Sequence, residues 1–152
     1  MQLLLQAGAS PNTADEEGFT PLHSAASLGY NDIILELIRD PRTVVDYQSH
    51  SLFTPLLEAV VYNHTAAAKT LLAHNANVNV ANMDGLTPLH LIAEYGNEEL
   101  LQFILENKIP VNLTLQVSTC IFCYMYLEPR SVPSGLYIQL YFWSARARAE
   151  SG

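Results

Sequence analysis

The sequence predicts an all-α repeat array of two-helix units, and three observations predict it. Thr-Pro-Leu recurs at Thr20-Pro21-Leu22, Thr54-Pro55-Leu56 and Thr87-Pro88-Leu89, at intervals of 34 and 33 residues. An Asn or Asp closes each unit on the same beat, at Asn12, Asp46, Asn79 and Asn112, spaced 34, 33 and 33 apart. Between these markers every unit carries two apolar stretches at helical spacing. A period of this length marks stacked supersecondary units, none of which can bury its apolar face alone.

Each element of the unit has a physical reason. Thr before Pro is a helix start: the hydroxyl caps free N–H groups, and Pro at the first helical position lacks the donor that would be orphaned there. Leu22, Ala25 and Ala26, with counterparts Leu56, Ala59, Val60 and Leu89, Ile92, Ala93, mark the buried face of a first helix. Gly29 and Gly96 fit a left-handed residue ending that helix, and Asn63 holds the same place in the middle unit. A second amphipathic helix follows, carried by Ile33, Ile34, Leu37 and Ile38, then Ala67, Ala68, Leu71 and Leu72, then Leu100, Leu101, Ile104 and Leu105.

Asp15-Glu16-Glu17-Gly18-Phe19-Thr20-Pro21-Leu22-His23-Ser24-Ala25-Ala26 and Asn82-Met83-Asp84-Gly85-Leu86-Thr87-Pro88-Leu89-His90 open two of the units, and Gly8-Ala9-Ser10-Pro11-Asn12 and Asn75-Ala76-Asn77-Val78-Asn79 end two. These units resemble the ankyrin repeat, with its D-x-x-G-x-T-P-L-H-x-A-A core and G-A-x-V-N ending. The resemblance implies a solenoid of helix-turn-helix units with β-hairpin-like fingers. It covers three whole units, at 15–48, 49–81 and 82–114, preceded at 1–14 by the second helix and ending of a truncated one. Two departures stand out. Ser49-His50-Ser51-Leu52-Phe53 replaces the Asp and Gly of the middle finger, which predicts an irregular turn, and Leu57 replaces the motif His. In the first whole unit one extra residue widens the finger at Asp40-Pro41-Arg42-Thr43-Val44-Val45-Asp46, and Pro41 ends its second helix early.

The family's usual task, protein–protein recognition, places the candidate binding residues on the finger tips and on the exposed side of each first helix. On the tips these are Glu16, Glu17, His50, Leu52, Met83 and Asp84; on the helices they are Ser24, Ser27, Leu28, Glu58, Tyr62, Leu91, Glu94 and Tyr95. Tyr62 and Tyr95 fall at equivalent places one repeat apart, where an aromatic either anchors an interface or packs on the next repeat. With the acidic tips they point to a protein partner that is basic and partly apolar. His23 and His90 belong to the repeat motif and are expected to hydrogen-bond between neighbouring loops, whereas His50, His64 and His74 read as exposed polar residues without ligand spacing.

Net charge of −8 over 152 residues disfavours a general attraction to nucleic acid or anionic lipid. Residues 1–114 hold thirteen Asp and Glu against four Lys and Arg, while 115–152 hold two against three, so two compositions meet there. No phosphate loop, nucleophile elbow or catalytic constellation occurs, and neither an enzyme nor a cofactor is expected. Cys120 and Cys123 form a lone C-x-x-C, readable as half a zinc site, a redox pair or chance. Without a signal-peptide pattern, a cytoplasmic or nuclear location is expected.

Both ends depart from the repeat. Met1 opens inside what reads as a second helix, as in a fragment of a longer repeat protein. Residues 115–152 form a non-repeat apolar tail with three readings: a non-native or disordered extension, a hairpin or helix covering the last repeat, or a membrane-associating segment aided by Arg146 and Arg148. The third gives the alternative function, a membrane-tethered regulator whose repeats face the cytosol.

Overall fold

A computed structural model describes residues 8–111. Within them the chain runs through α1 (Pro21–Ser27), α2 (Asn31–Arg39), α3 (Pro55–Val61), α4 (Thr65–Ala73), α5 (Pro88–Glu94) and α6 (Glu98–Glu106). The expectations for residues 1–7 and 112–152, including the C-x-x-C and the tail, lie outside the described residues.

Thr20, Thr54 and Thr87 are the N-caps of α1, α3 and α5, each with Pro following at the start of the helix. In α1 and α5 the cap is reciprocal. The Nδ1 of His23 accepts from the Thr20 N–H at 3.1 Å, and that of His90 from the Thr87 N–H at 3.2 Å. In α3, where Leu57 stands in place of His, the Thr54 hydroxyl caps the Leu57 N–H at 3.2 Å. Gly29, Asn63 and Gly96 end the three first helices with φ of +69°, +57° and +65°. The reversal that joins the two helices of each unit needs this left-handed residue.

The core is one continuous cluster. Leu22, Leu56 and Leu89 come from the first helices, and Ile34, Leu37, Leu71, Leu72, Leu100 and Ile104 from the second. Each fully buried Leu or Ile stabilises the fold by about 1.5–3 kcal/mol. First helices pack on first helices and second on second, so every unit covers its neighbour's apolar side. Ile33, Ile38 and Leu105, expected on the buried face, are only partly buried.

The fingers are hydrogen-bonded turns, and no strand occurs among the described residues. In the first, the Asp15 N–H donates to the Phe19 carbonyl at 3.0 Å, while Oδ1 of Asp15 accepts from the N–H groups of Glu17 and Phe19 at 3.0 and 2.8 Å. Asn82 repeats this in the third finger through Asp84 and Leu86, both at 3.0 Å. Contrary to the expected irregularity, the middle finger has the same turn. Ser49 N–H reaches the Phe53 carbonyl at 2.9 Å, and its hydroxyl accepts from the Phe53 N–H at 3.1 Å. A short side-chain oxygen is all this turn requires, and Ser provides one. Leu52 takes the glycine's place with φ of +59°.

Neighbouring units are tied by polar bridges as well as by the core. The His50 N–H donates to the Glu17 carbonyl at 3.0 Å, and the Met83 N–H to that of Ser51 at 3.3 Å, linking successive fingers. His23 Nδ1 already accepts, so its Nε2 carries the proton and donates to the Phe53 carbonyl of the next unit at 3.0 Å. His64 corrects its sequence assignment as an exposed polar residue. It is half-buried, and its Nε2 bridges back to the Ser27 carbonyl at 3.0 Å.

Candidate functional site

Fingers and first helices together frame a groove of about 590 Å³, lined by Glu16, Glu17, Phe19, His50, Ser51, Phe53, Glu58, Val61 and Tyr62. The finger turns set Glu16, Glu17, His50 and Ser51 on one wall. α3 provides Glu58 and Val61, and its C-cap provides Tyr62. No lining residue is a Lys or Arg, so the groove carries acidic charge.

The structure brings five of the residues singled out from sequence to this groove: Glu16, Glu17, His50, Glu58 and Tyr62. Leu52, Met83 and Asp84 are exposed on the tips of the second and third fingers, and Glu94 is exposed at the end of α5. Leu28, Tyr62 and Tyr95 occupy the C-caps of α1, α3 and α5 and are all exposed, Tyr62 at 58%. Tyr62 is thus largely in solvent although the next unit is described, and Tyr95 is exposed at the last described unit. Ser24 is exposed, and Ser27 is half-buried, its hydroxyl donating to the Ser24 carbonyl at 3.1 Å.

Two residues expected on the exposed side are buried. Leu91 is 4% exposed and joins the core, and Glu58, its counterpart one unit earlier, is 8% exposed. The repeat frame assigns one face to Ser24, Glu58 and Leu91 alike, but their exposure differs from unit to unit. An aliphatic side chain there joins the apolar layer, whereas Ser24 remains in solvent. Phe19 and Phe53, which line the groove, were missed from sequence. Their signal was available: each stands directly before a Thr-Pro pair, 34 residues apart.

Electrostatics follow burial. Desolvation raises the pKa of the Glu58 carboxyl above its ordinary value. Burial likewise raises that of Asp46, against the pull of the Asn77 N–H. Burial lowers the pKa of His23, opposed by the Phe53 and Tyr47 carbonyls and by Asp15, and burial lowers that of His90 too. Among the described residues no group of three His, Cys, Asp or Glu is placed to hold a metal ion. Nor is any described helix long and apolar enough to cross a membrane.

Residues 44–115 match the family model for ankyrin repeats in three copies, and residues 17–48 match that for the single ankyrin repeat. Together they span more than half of the chain. An ankyrin repeat protein of Escherichia coli (strain K12), YahD, is 32% identical over 110 residues, which cover 69% of this chain and 55% of that protein. Neurogenic locus notch homolog protein 1 of Homo sapiens is 33% identical over 104 residues, covering 68% of this chain and 4% of that one. The human SH3 and multiple ankyrin repeat domains protein 2 is 29% identical over 105 residues, covering 69% and 6%. The chain thus spans about half or far less of these relatives' own length.

Proposed function

The chain belongs to the ankyrin-repeat family, whose repeats are protein–protein interaction modules, and from that premise we propose that it binds a protein partner along its fingers and first helices, without catalysis. The observation that carries this reading is the row of exposed apolar side chains in register with the repeat. Leu28, Tyr62 and Tyr95 recur at one place in three consecutive units, and Leu52 and Met83, the latter 70% exposed, extend the apolar surface onto the finger tips. Exposed aromatics at a repeated position are the usual anchors of an interface. The acidic groove beside them favours a partner that is basic and partly apolar. A cytoplasmic or nuclear setting is part of the same proposal.

Alanine at Tyr62 and Tyr95 provides the test. Both side chains are exposed, so the double variant keeps the wild-type unfolding midpoint within about 0.5 kcal/mol of stability. Partners recovered with the wild-type chain are expected to be lost or strongly depleted with the double variant, as quantified by affinity purification. Undiminished recovery would refute the reading.

A further inference from the structure

A carboxylate removed from water ordinarily finds a hydrogen-bond donor or a cation. Glu58 has none: the residue is 8% exposed, yet its carboxylate makes no hydrogen bond or ion pair among the described residues. It lines the groove together with Tyr62 and the finger residues Glu16, Glu17, Phe19 and Phe53. The cations of the described chain serve elsewhere. Arg39 pairs with Glu36, Arg42 with Asp40 and Lys69 with Glu99, and Lys108 stands beyond α6.

We propose that this groove is an anchor pocket for one arginine side chain of a protein partner, whose guanidinium pairs with the Glu58 carboxylate. This deepens the protein-binding function above and rests on it. The chemistry selects arginine over lysine. The guanidinium is planar, presents a fork of donors that a carboxylate accepts in pairs, and is less strongly hydrated than an ammonium, so it tolerates a half-enclosed site. Its flat faces also suit the aromatic walls that Phe19, Phe53 and Tyr62 provide. Glu16 and Glu17 stand exposed at the rim, where they attract the cation and set the salt dependence of association. A buried acid without an internal partner costs the fold stability, and such a cost is expected at functional positions.

The test uses the full chain and a blocked arginine-centred pentapeptide, with lysine-, citrulline- and norleucine-centred counterparts, titrated to millimolar concentration. NMR follows the Glu58 carboxyl carbon and the Tyr62 ring. The arginine peptide is expected to give saturable shifts at both groups, the lysine peptide weaker ones, and the two uncharged peptides affinities lower by about tenfold or more, as for loss of one partner of a desolvated charge pair. Glu58→Gln, nearly the same shape, should weaken arginine binding to a similar degree while raising the thermal midpoint. Equal binding of the norleucine peptide, or binding unaffected by Glu58→Gln, would overturn the proposal. So would a lower midpoint for that variant, because the carboxylate would then be committed within the fold. If the arginine peptide leaves Glu58 unmoved while Tyr62→Ala/Tyr95→Ala still abolishes partner recovery, the anchor falls and the binding surface stands.

Discussion

Leu52 holds a left-handed backbone at φ of +59° and is 41% exposed at a finger tip. An L-residue in that region costs roughly 1–2 kcal/mol, part of which glycine recovers after its own entropy loss. Leu52→Gly should therefore stabilise the chain by about 0.5–1 kcal/mol in urea titration. If the tip belongs to the binding surface, the same substitution weakens partner capture, the pattern expected where strain is kept for function. His23 and His90 make a residue-scale prediction in pH. Burial lowers both pKa values, so the unfolded chain takes up protons that the folded chain refuses. Stability should fall as pH drops through the ordinary histidine value of about 6.5, and level off below the folded-state values. Protonating His23 would also place a proton on the Nδ1 that accepts from the Thr20 N–H. Unfolding midpoints measured from about pH 7.5 to 5.5 should decline in the wild type and much less in His23→Leu/His90→Leu, which copies the Leu57 of the middle unit. Parallel slopes would refute the assignment.

At the scale of the element, the turn joining two helices is also a contact between units. Gly29 has φ of +69°, and a Cβ there would meet Nδ1 of His64 at 2.6 Å; at Gly96, with φ of +65°, a Cβ would meet no described atom within 4 Å. Gly96→Ala should cost about 1–2 kcal/mol from the backbone alone. Gly29→Ala should cost more, because the imidazole it displaces is anchored to the Ser27 carbonyl. Adding His64→Ala should cancel that excess, a coupling that a double-mutant cycle measures directly. Additive effects would mean that His64 yields freely. These elements also show what sequence carries and what it does not. Helix starts and stops were legible because Thr, Pro and Gly act on their own backbone within a few residues. The inter-loop bond of His23 followed from the family pattern; His90 bonds its own Thr87, and the loop it would reach next lies outside the described residues. The bridge from His64 was not legible, since nothing local distinguishes a helix-leading His that reaches across 37 residues from one in solvent. The burial of Glu58 and Leu91 was not legible either, since a position on the outer side of a first helix does not by itself reveal its depth in the stack. The middle finger was misread for the opposite reason: a hydroxyl does the work of the missing carboxylate.

Over the whole molecule, stability is a sum of unit and interface contributions, and the closing Asn or Asp of each unit belongs to the interface. Asn12 accepts from the Val44 N–H at 2.9 Å and donates to the Arg42 carbonyl at 2.6 Å, while Asn79 donates to the Pro110 carbonyl at 2.9 Å. These bonds reach the unit that follows, which is why this residue keeps the same beat as the Thr-Pro-Leu motif. Asp46 occupies the equivalent place and accepts from the Asn77 N–H at 2.9 Å, but as a carboxylate it has nothing to donate. Burial raises its pKa despite that bond, so the charged form costs stability in the fold. The sign follows from linkage: a carboxyl whose pKa is higher folded than unfolded stabilises the fold when protonated, and that contribution is lost as pH rises through the folded value. Asp46→Asn should therefore stabilise the array by about 1 kcal/mol at neutral pH, the worth of one net hydrogen bond with the charge removed. Its advantage over the wild type should shrink as pH falls from neutral into the acid range through the raised folded-state value, below which Asp46 is neutral and can donate as the amide does. Urea unfolding of the two chains side by side isolates this group from every other carboxylate. In a stack that transmits order only between neighbours, a gain at this single interface should also sharpen the transition, and an equal advantage at neutral and acid pH would show that the charge was never costly.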